Sequence, residues 1–228
     1  LELSRDATQR AARERAAAEL LSAPLTMDGA VQLALANSPA LQALLADRAS
    51  DLASAAQAGR IANPVFSFER VRSTDELELG RLLAFGLLDL LTLPQRQAIA
   101  RNAAEQARVR LAAGVVEEVS AVREAWVRAV AARETLAYAG QVDDAAQAGA
   151  ELARRMQRAG NFTRLQRARQ HVFHAQTAAQ LAAARLAATS TREALVRRLG
   201  LGDAQAAALQ LPDRLADLPA QPRQSAEV

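Results

Sequence analysis

The chain has 228 residues, half of them apolar, with 28 basic and 25 acidic residues and a formal charge of +3. Every basic residue is arginine, so a pI near 10.6 reflects the high pKa of guanidinium and overstates any attraction to polyanions. The absence of cysteine excludes disulfides, thiolate metal sites and thiol catalysis, and with only five Phe, one Trp and one Tyr the Ala- and Leu-rich chain reads as long, closely packed helices.

Residues 1–24 read as an N-terminal exposed helix or strap. "LELSRDATQRAARERAAAELL" alternates charge with alanine, is helical over 4–22 and lacks the apolar centre of a secretory signal. If the protein is exported, the chain is expected to start after the cleavage site. Residues 25–64 form the upper helices. Thr26 is a candidate N-cap with Asp28 in the first turn, where a carboxylate suits the helix dipole. "NSP" at 37–39 stops that helix and starts another, with Ser38 as N-cap and Pro39 as the first helical residue. The second helix runs to about Gln57, before Gly59 and Asn63-Pro64 break it.

The period then changes. In "VFSFERVR" (65–72) Phe66 and Phe68 share one face with Ser67 and Glu69 opposite, and "STD" supplies a turn. From 76 to 93, Leu77, Leu79, Leu83, Phe85, Leu87, Leu91 and Leu93 fall on one side against Glu78, Gly80, Ala84 and Gly86, with Leu82, Leu88 and Leu90 blurring the contrast. Residues 65–93 therefore read as a β-hairpin with a greasy outer face and a small or polar inner one. Such a hairpin is unstable alone and calls for lipid or partner chains; without them it is expected to be distorted, helical or packed on another copy. The longest apolar run, "LLAFGLLDLLTLP", is broken by Asp89 and too short for a membrane-spanning helix.

Residues 94–200 read as a long helical hairpin with its tip at 158–165. Val115, Val119, Val122, Trp126, Ala129 and Leu136 step by three and four as a coiled-coil seam does. Gly114, Gly140 and Gly149 weaken this arm without stopping it, so it runs about 64 residues, or ~96 Å, to Gly160. The return arm shows Leu165, Ala168, Val172, Ala175, Ala179, Ala182, Leu186 and Thr189 at similar steps and ends at Leu199-Gly200, a glycine C-cap. The first arm is the longer, and the helix at 39–57 is the candidate to pack on its excess. Residues 201–228, "LPDRLADLPAQPRQSAEV" among them, read as a linker.

No catalytic, cofactor-binding or metal site is expected. Ser-His-Asp, paired-carboxylate, phosphate-loop and dinucleotide patterns are missing. His171 and His174 stand three apart, a spacing that can serve a metal, yet no acid lies between Glu151 and Glu193, so a surface pair is the expected reading. Trp126 and Tyr138 read as packing residues, and Glu117-Glu118 and Asp143-Asp144 as exposed helix charges. In "RRMQRAGNFTRLQRAR" (154–169) six arginines surround one glycine. A solvated tip and a protein-docking turn both fit this. Nucleic acid is disfavoured, since Phe162 alone is present to stack and no groove-reading motif appears.

Taken together, "PLTMDGAVQLALANSPALQA", "AGRIANPVFSFE", "LPQRQAIARNAAEQAR" and the stretch from "ELARRMQRAGNFTRLQRARQ" to "VRRLGL" resemble the TolC family of outer-membrane efflux proteins over about Pro24 to Pro219, in the flavour of its heavy-metal branch. The resemblance implies a mainly α fold: a long antiparallel helical hairpin of α-barrel type, with a β-hairpin contributed to a trimeric transmembrane β-barrel. It implies an outer-membrane location with most of the chain in the periplasm, and a passive duct for metal ions or small toxic compounds. The implied partners are a periplasmic adaptor, an inner-membrane pump and outer-membrane lipid. Family members carry two such repeats. One is present here, and a second is expected after the proline-rich tail.

The family's adaptor-docking tip maps onto Arg158, Gly160, Asn161, Phe162, Thr163, Arg164, Leu165 and Gln166. Some relatives carry a gating acid six positions after the turn glycine, and here that position is Gln166, so this half is not expected to supply the charge. The alternative is a periplasmic helical scaffold or adaptor without a pore, disfavoured because the small β-rich flanks of adaptors are not seen.

Overall fold

A computed structural model describes residues 15–60, 63, 65–72, 77–84, 86 and 91–217. After a helical stretch at 15–20 come helices α1 (Met27–Asn37) and α2 (Pro39–Ala58), strands β1 (Val65–Arg72) and β2 (Leu77–Ala84), and helices α3 (Leu93–Arg158), α4 (Arg164–Leu199) and α5 (Asp203–Ala208). They divide into two compact units, Leu1–Gln42 with Glu117–Val228, and Ala43–Val116. The expected turn at 73–75, the strand positions Phe85 and Leu87, and segments 4–14 and 218–228 lie outside the described residues.

In the first unit, α3 and α4 form an antiparallel hairpin. Thr177 meets Asp143, and Arg198 meets Glu118. The expected α3 seam is present, with Val122, Trp126 and Ala129 buried, and Gly140 and Gly149 do not interrupt the helix. The core adds Leu25, Leu33, Leu195 and Leu199, each such side chain contributing about 1.5–3 kcal/mol on full burial. Trp126 Nε1 donates to the Leu25 carbonyl at 2.8 Å in the buried interior. Arg192 donates to the carbonyls of Ala206 and Leu209, and Arg133 to that of Leu211, tying the segment after α4 onto the hairpin.

Three expectations need correction here. The stretch before Pro24 is not wholly exposed, because Ala17 and Leu21, four apart on one helical face, are buried in the core. Tyr138 is 68% exposed, since the inward steps of α3 pass through Leu136 and Ala139 instead. On α4 the inward face is His174, Thr177, Leu181, Ala184, Ala188, Thr191, Leu195 and Leu199. The expected seam residues Leu165, Val172 and Leu186 are 61%, 56% and 72% exposed. The polar Thr177 and His174 disguised the true seam, and alanine-rich spacing supplied a second one beside it.

The helix ends follow local chemistry. The Thr26 hydroxyl accepts from Gly29 N at 3.1 Å. Ser38 occupies the position between α1 and α2 as expected, but its buried Oγ has no hydrogen-bond partner, so it caps with backbone alone. Its N–H donates to Ala34 O, and its carbonyl accepts from Gln42 N. Gly200 closes α4 in the left-handed region (φ 68°), with Leu201 N donating to Val196 O and Gly200 N to Arg197 O, the paired bonds of a Schellman cap.

In the second unit α2 lies along the start of α3, as expected. A Cβ added at Gly59 would meet Ala100 at 3.2 Å, and one at Gly114 would meet Leu44 at 2.9 Å. Arg96 donates to the carbonyls of Ala58 and Arg60.

The strands pair antiparallel in unbroken register from Val65↔Ala84 to Arg72↔Leu77, so over these residues the hairpin is neither distorted nor helical, two of the three outcomes expected of it without partners. It is also shorter than 65–93. Residue 91 is already helical and α3 starts at Leu93, because proline is tolerated in a first helical turn and Pro94 sits inside the helix. Phe66 and Phe68 are 65% and 57% exposed. Phe68 is opposed by Arg81, and Ser67 by Leu82, which is itself 62% exposed. Directly opposed residues share a face, so neither face is as uniform as alternation implied. Among the described residues no helix is long and apolar enough to cross a membrane.

Candidate functional site

The tip is built by two caps meeting across five residues. At the end of α3, Asn161 N donates to Met156 O at 2.9 Å and Gly160 N to Gln157 O at 3.1 Å, with Gly160 at φ 81°. The next helix is opened by Thr163. Its hydroxyl accepts from Gln166 N at 3.1 Å, and Gln166 Oε1 accepts from Thr163 N at 2.8 Å, a reciprocal capping box. The residues expected at the tip therefore lie together: Arg158 ends α3, Gly160 to Thr163 make the turn, and Arg164, Leu165 and Gln166 open α4. Gln166, expected at the docking tip and as the place of a missing acid, also has a structural role. The T-x-x-Q spacing of Thr163 and Gln166 was the readable signal for it.

The arginines differ in what holds them. Glu151 takes Arg154 at 2.6 Å and Arg155 at 2.9 Å. The hydrogen bond from Arg155 holds its carboxyl below the ordinary 4.5, and the charges of Arg154, Arg155 and Arg158 act in the same direction. Arg167 donates to the neutral Gln157 amide at 3.1 Å. Leu165 stands 61% exposed among them, and Phe162 is half-buried.

Behind the tip, the hairpin seam carries a polar layer. Thr177, only 3% exposed, donates to Asp143 Oδ1 at 2.8 Å, and His174 Nε2 lies 3.8 Å from the same oxygen. His174 is thus turned into the seam while His171 is exposed, so the two do not act as the surface pair their spacing implied. Asp143 is correspondingly not a free surface charge. Neither is Glu118, whose side chain is 15% exposed and pairs with Arg198 at 3.2 Å. Buried polar layers of this kind fix the register of paired helices. Among the described residues no group of three or more His, Asp or Glu could hold a metal ion.

A long helical hairpin, with an antiparallel strand pair in the same chain, is a fold shared with outer-membrane channels of solved structure. Three solved structures carry that likeness. A membrane protein from Pseudomonas aeruginosa matches at 22% identity and a TM-score of 0.64, over 87% of this chain and 48% of that one. The CmeC outer membrane channel of Campylobacter jejuni matches at 14% identity and 0.68, over 86% and 45%. The outer membrane protein VceC of Vibrio cholerae matches at 14% identity and 0.66, over 85% and 51%. No protein-family model and no curated protein matches the chain. At these identities the likeness is one of fold, and the chain spans about half the length of the structures it matches.

Proposed function

We propose that this chain forms part of the wall of a passive exit duct in a tripartite efflux system. In this reading it is anchored in the outer membrane by its strand pair and extends through the periplasm as helices. The duct is a homotrimer in the full-length protein. It carries metal ions or small toxic compounds supplied by an inner-membrane pump through a periplasmic adaptor, and performs no chemistry itself. The observation that carries the reading is the fold shared with an outer-membrane channel, in a chain whose strand pair leaves Phe66, Phe68 and Leu82 bare. Bare apolar strands are stabilised by closure into a barrel within lipid.

The adaptor docks at Arg158 and at Gly160 to Gln166. A rigid, doubly capped turn presenting Leu165 suits docking, since little conformational freedom is lost on binding.

The test is the mass and oligomeric state of the native gene product extracted from outer membranes. A detergent-stable trimer is expected. A soluble monomer absent from the outer membrane would overturn the reading.

A further inference from the structure

We infer that the tip is a receptor for an acidic protein surface: the partner offers carboxylates around an apolar contact that seats on Leu165. This rests on the docking reading above and adds the chemistry of the partner to it. Between 151 and 170 there are six arginines and a single acid, Glu151. Arg154 and Arg155 already share that carboxylate, and Arg158 lies in its field. Arg167 holds only a neutral amide. Arg164 and Arg169 form no ion pair among the described residues and are exposed.

The fold accounts for only part of this charge. Arg155 and Arg158 in the last turn of α3 suit its dipole, as cations do at a helix C-terminus. The first turn of α4 is the opposite case. A helix N-terminus favours acids, yet that turn has none and carries Arg164 and Arg167. Cations placed against the local field weaken the helix start. An acidic partner would turn that disadvantage into attraction, with exposed Leu165 as the central apolar contact and the guanidiniums as its rim. Phosphate polyanions would meet the same charge but gain nothing from Leu165.

The test measures fluorescence anisotropy of a labelled short poly-glutamate peptide, and of an oligothymidylate of matched charge, titrated with the 228-residue chain. Three proteins are compared: wild type, a tip triple (Arg158→Gln, Arg164→Gln, Arg169→Gln) and a control triple of exposed helix arginines (Arg110→Gln, Arg123→Gln, Arg185→Gln). Circular dichroism checks that helix content is kept. Poly-glutamate binding is expected to weaken roughly tenfold in the tip triple and little in the control. Equal losses in both triples would reduce the effect to net charge and overturn the inference. Tighter, tip-dependent binding of the oligothymidylate would overturn it in favour of nucleic acid.

A photo-crosslinker at Leu165 of the full-length protein in cells separates the two readings. No adaptor adduct in wild type removes the docking reading and this inference with it. An adduct undiminished in the tip triple keeps docking and removes the acidic partner.

Discussion

Asn37 Nδ2 donates to the carbonyl of Gly200 at 2.7 Å, joining the end of α1 to the end of α4 across 163 residues of sequence. The glycine is required twice over, by its positive φ and by space. A Cβ there would lie 2.5 Å from Pro39 Cδ and 2.6 Å from Asn37 O. Gly200→Ala should therefore destabilise the chain by roughly 2–5 kcal/mol, combining left-handed strain with overpacking. Gly160→Ala, at φ 81° but with nothing within 4 Å of the new atom, should cost only about 1–2 kcal/mol. Urea unfolding of both variants decides it, and equal losses would refute the steric account.

At the tip, Gln166→Ala should cost about 0.3–1.5 kcal/mol, confined to the start of α4, while Gln166→Glu keeps the reciprocal cap and costs little. Amide hydrogen exchange at 163–168 is the readout. Unchanged exchange in Gln166→Ala would show that the side chain is not what closes the box.

Trp126→Phe keeps most of the buried ring and removes the donor to Leu25 O, leaving a buried carbonyl short of its partner. A loss of about 1–3 kcal/mol is expected in thermal or urea unfolding. An unchanged stability would mean that the indole N–H contributes shape alone.

The carboxyl of Glu151 has a folded pKa depressed below 4.5 by Arg155, then by the neighbouring arginine charges. A depressed acid stabilises the fold above its unfolded pKa, and that contribution is lost as pH falls through the folded value. Stability should thus decline slightly as pH drops below about 4.5, and Glu151→Gln should remove that part of the slope. The group is exposed, so the effect is small. A variant whose acid limb matches wild type within error would exclude a role for these contacts.

Where sequence reading succeeded, a single physical signal dominated: proline and glycine at helix ends, period two across 65–72, and a valine and tryptophan stripe on α3. Its failures share a different cause. On α4 two stripes of comparable apolarity lie side by side, and the buried one contains Thr177 and His174. Those residues look like surface until Asp143 is known to face them from α3. Glu118 was misread for the same reason, its partner Arg198 lying 80 positions away. Tip placement was legible from Gly160, but the cap closed by Gln166 rests on a neutral amide and leaves no mark in the charge pattern.

The second stripe of α4, bare along Val172 and Leu186 behind the tip, sets a condition on any assembly built from it. A helix with one apolar stripe can stand at the end of a row, because its other side is comfortable in water. A helix with two is a stave: it has an unmet edge until something lies against it on both sides. A row of staves passes that unmet edge from each member to the next, and the row loses it only by bending round to meet its own beginning.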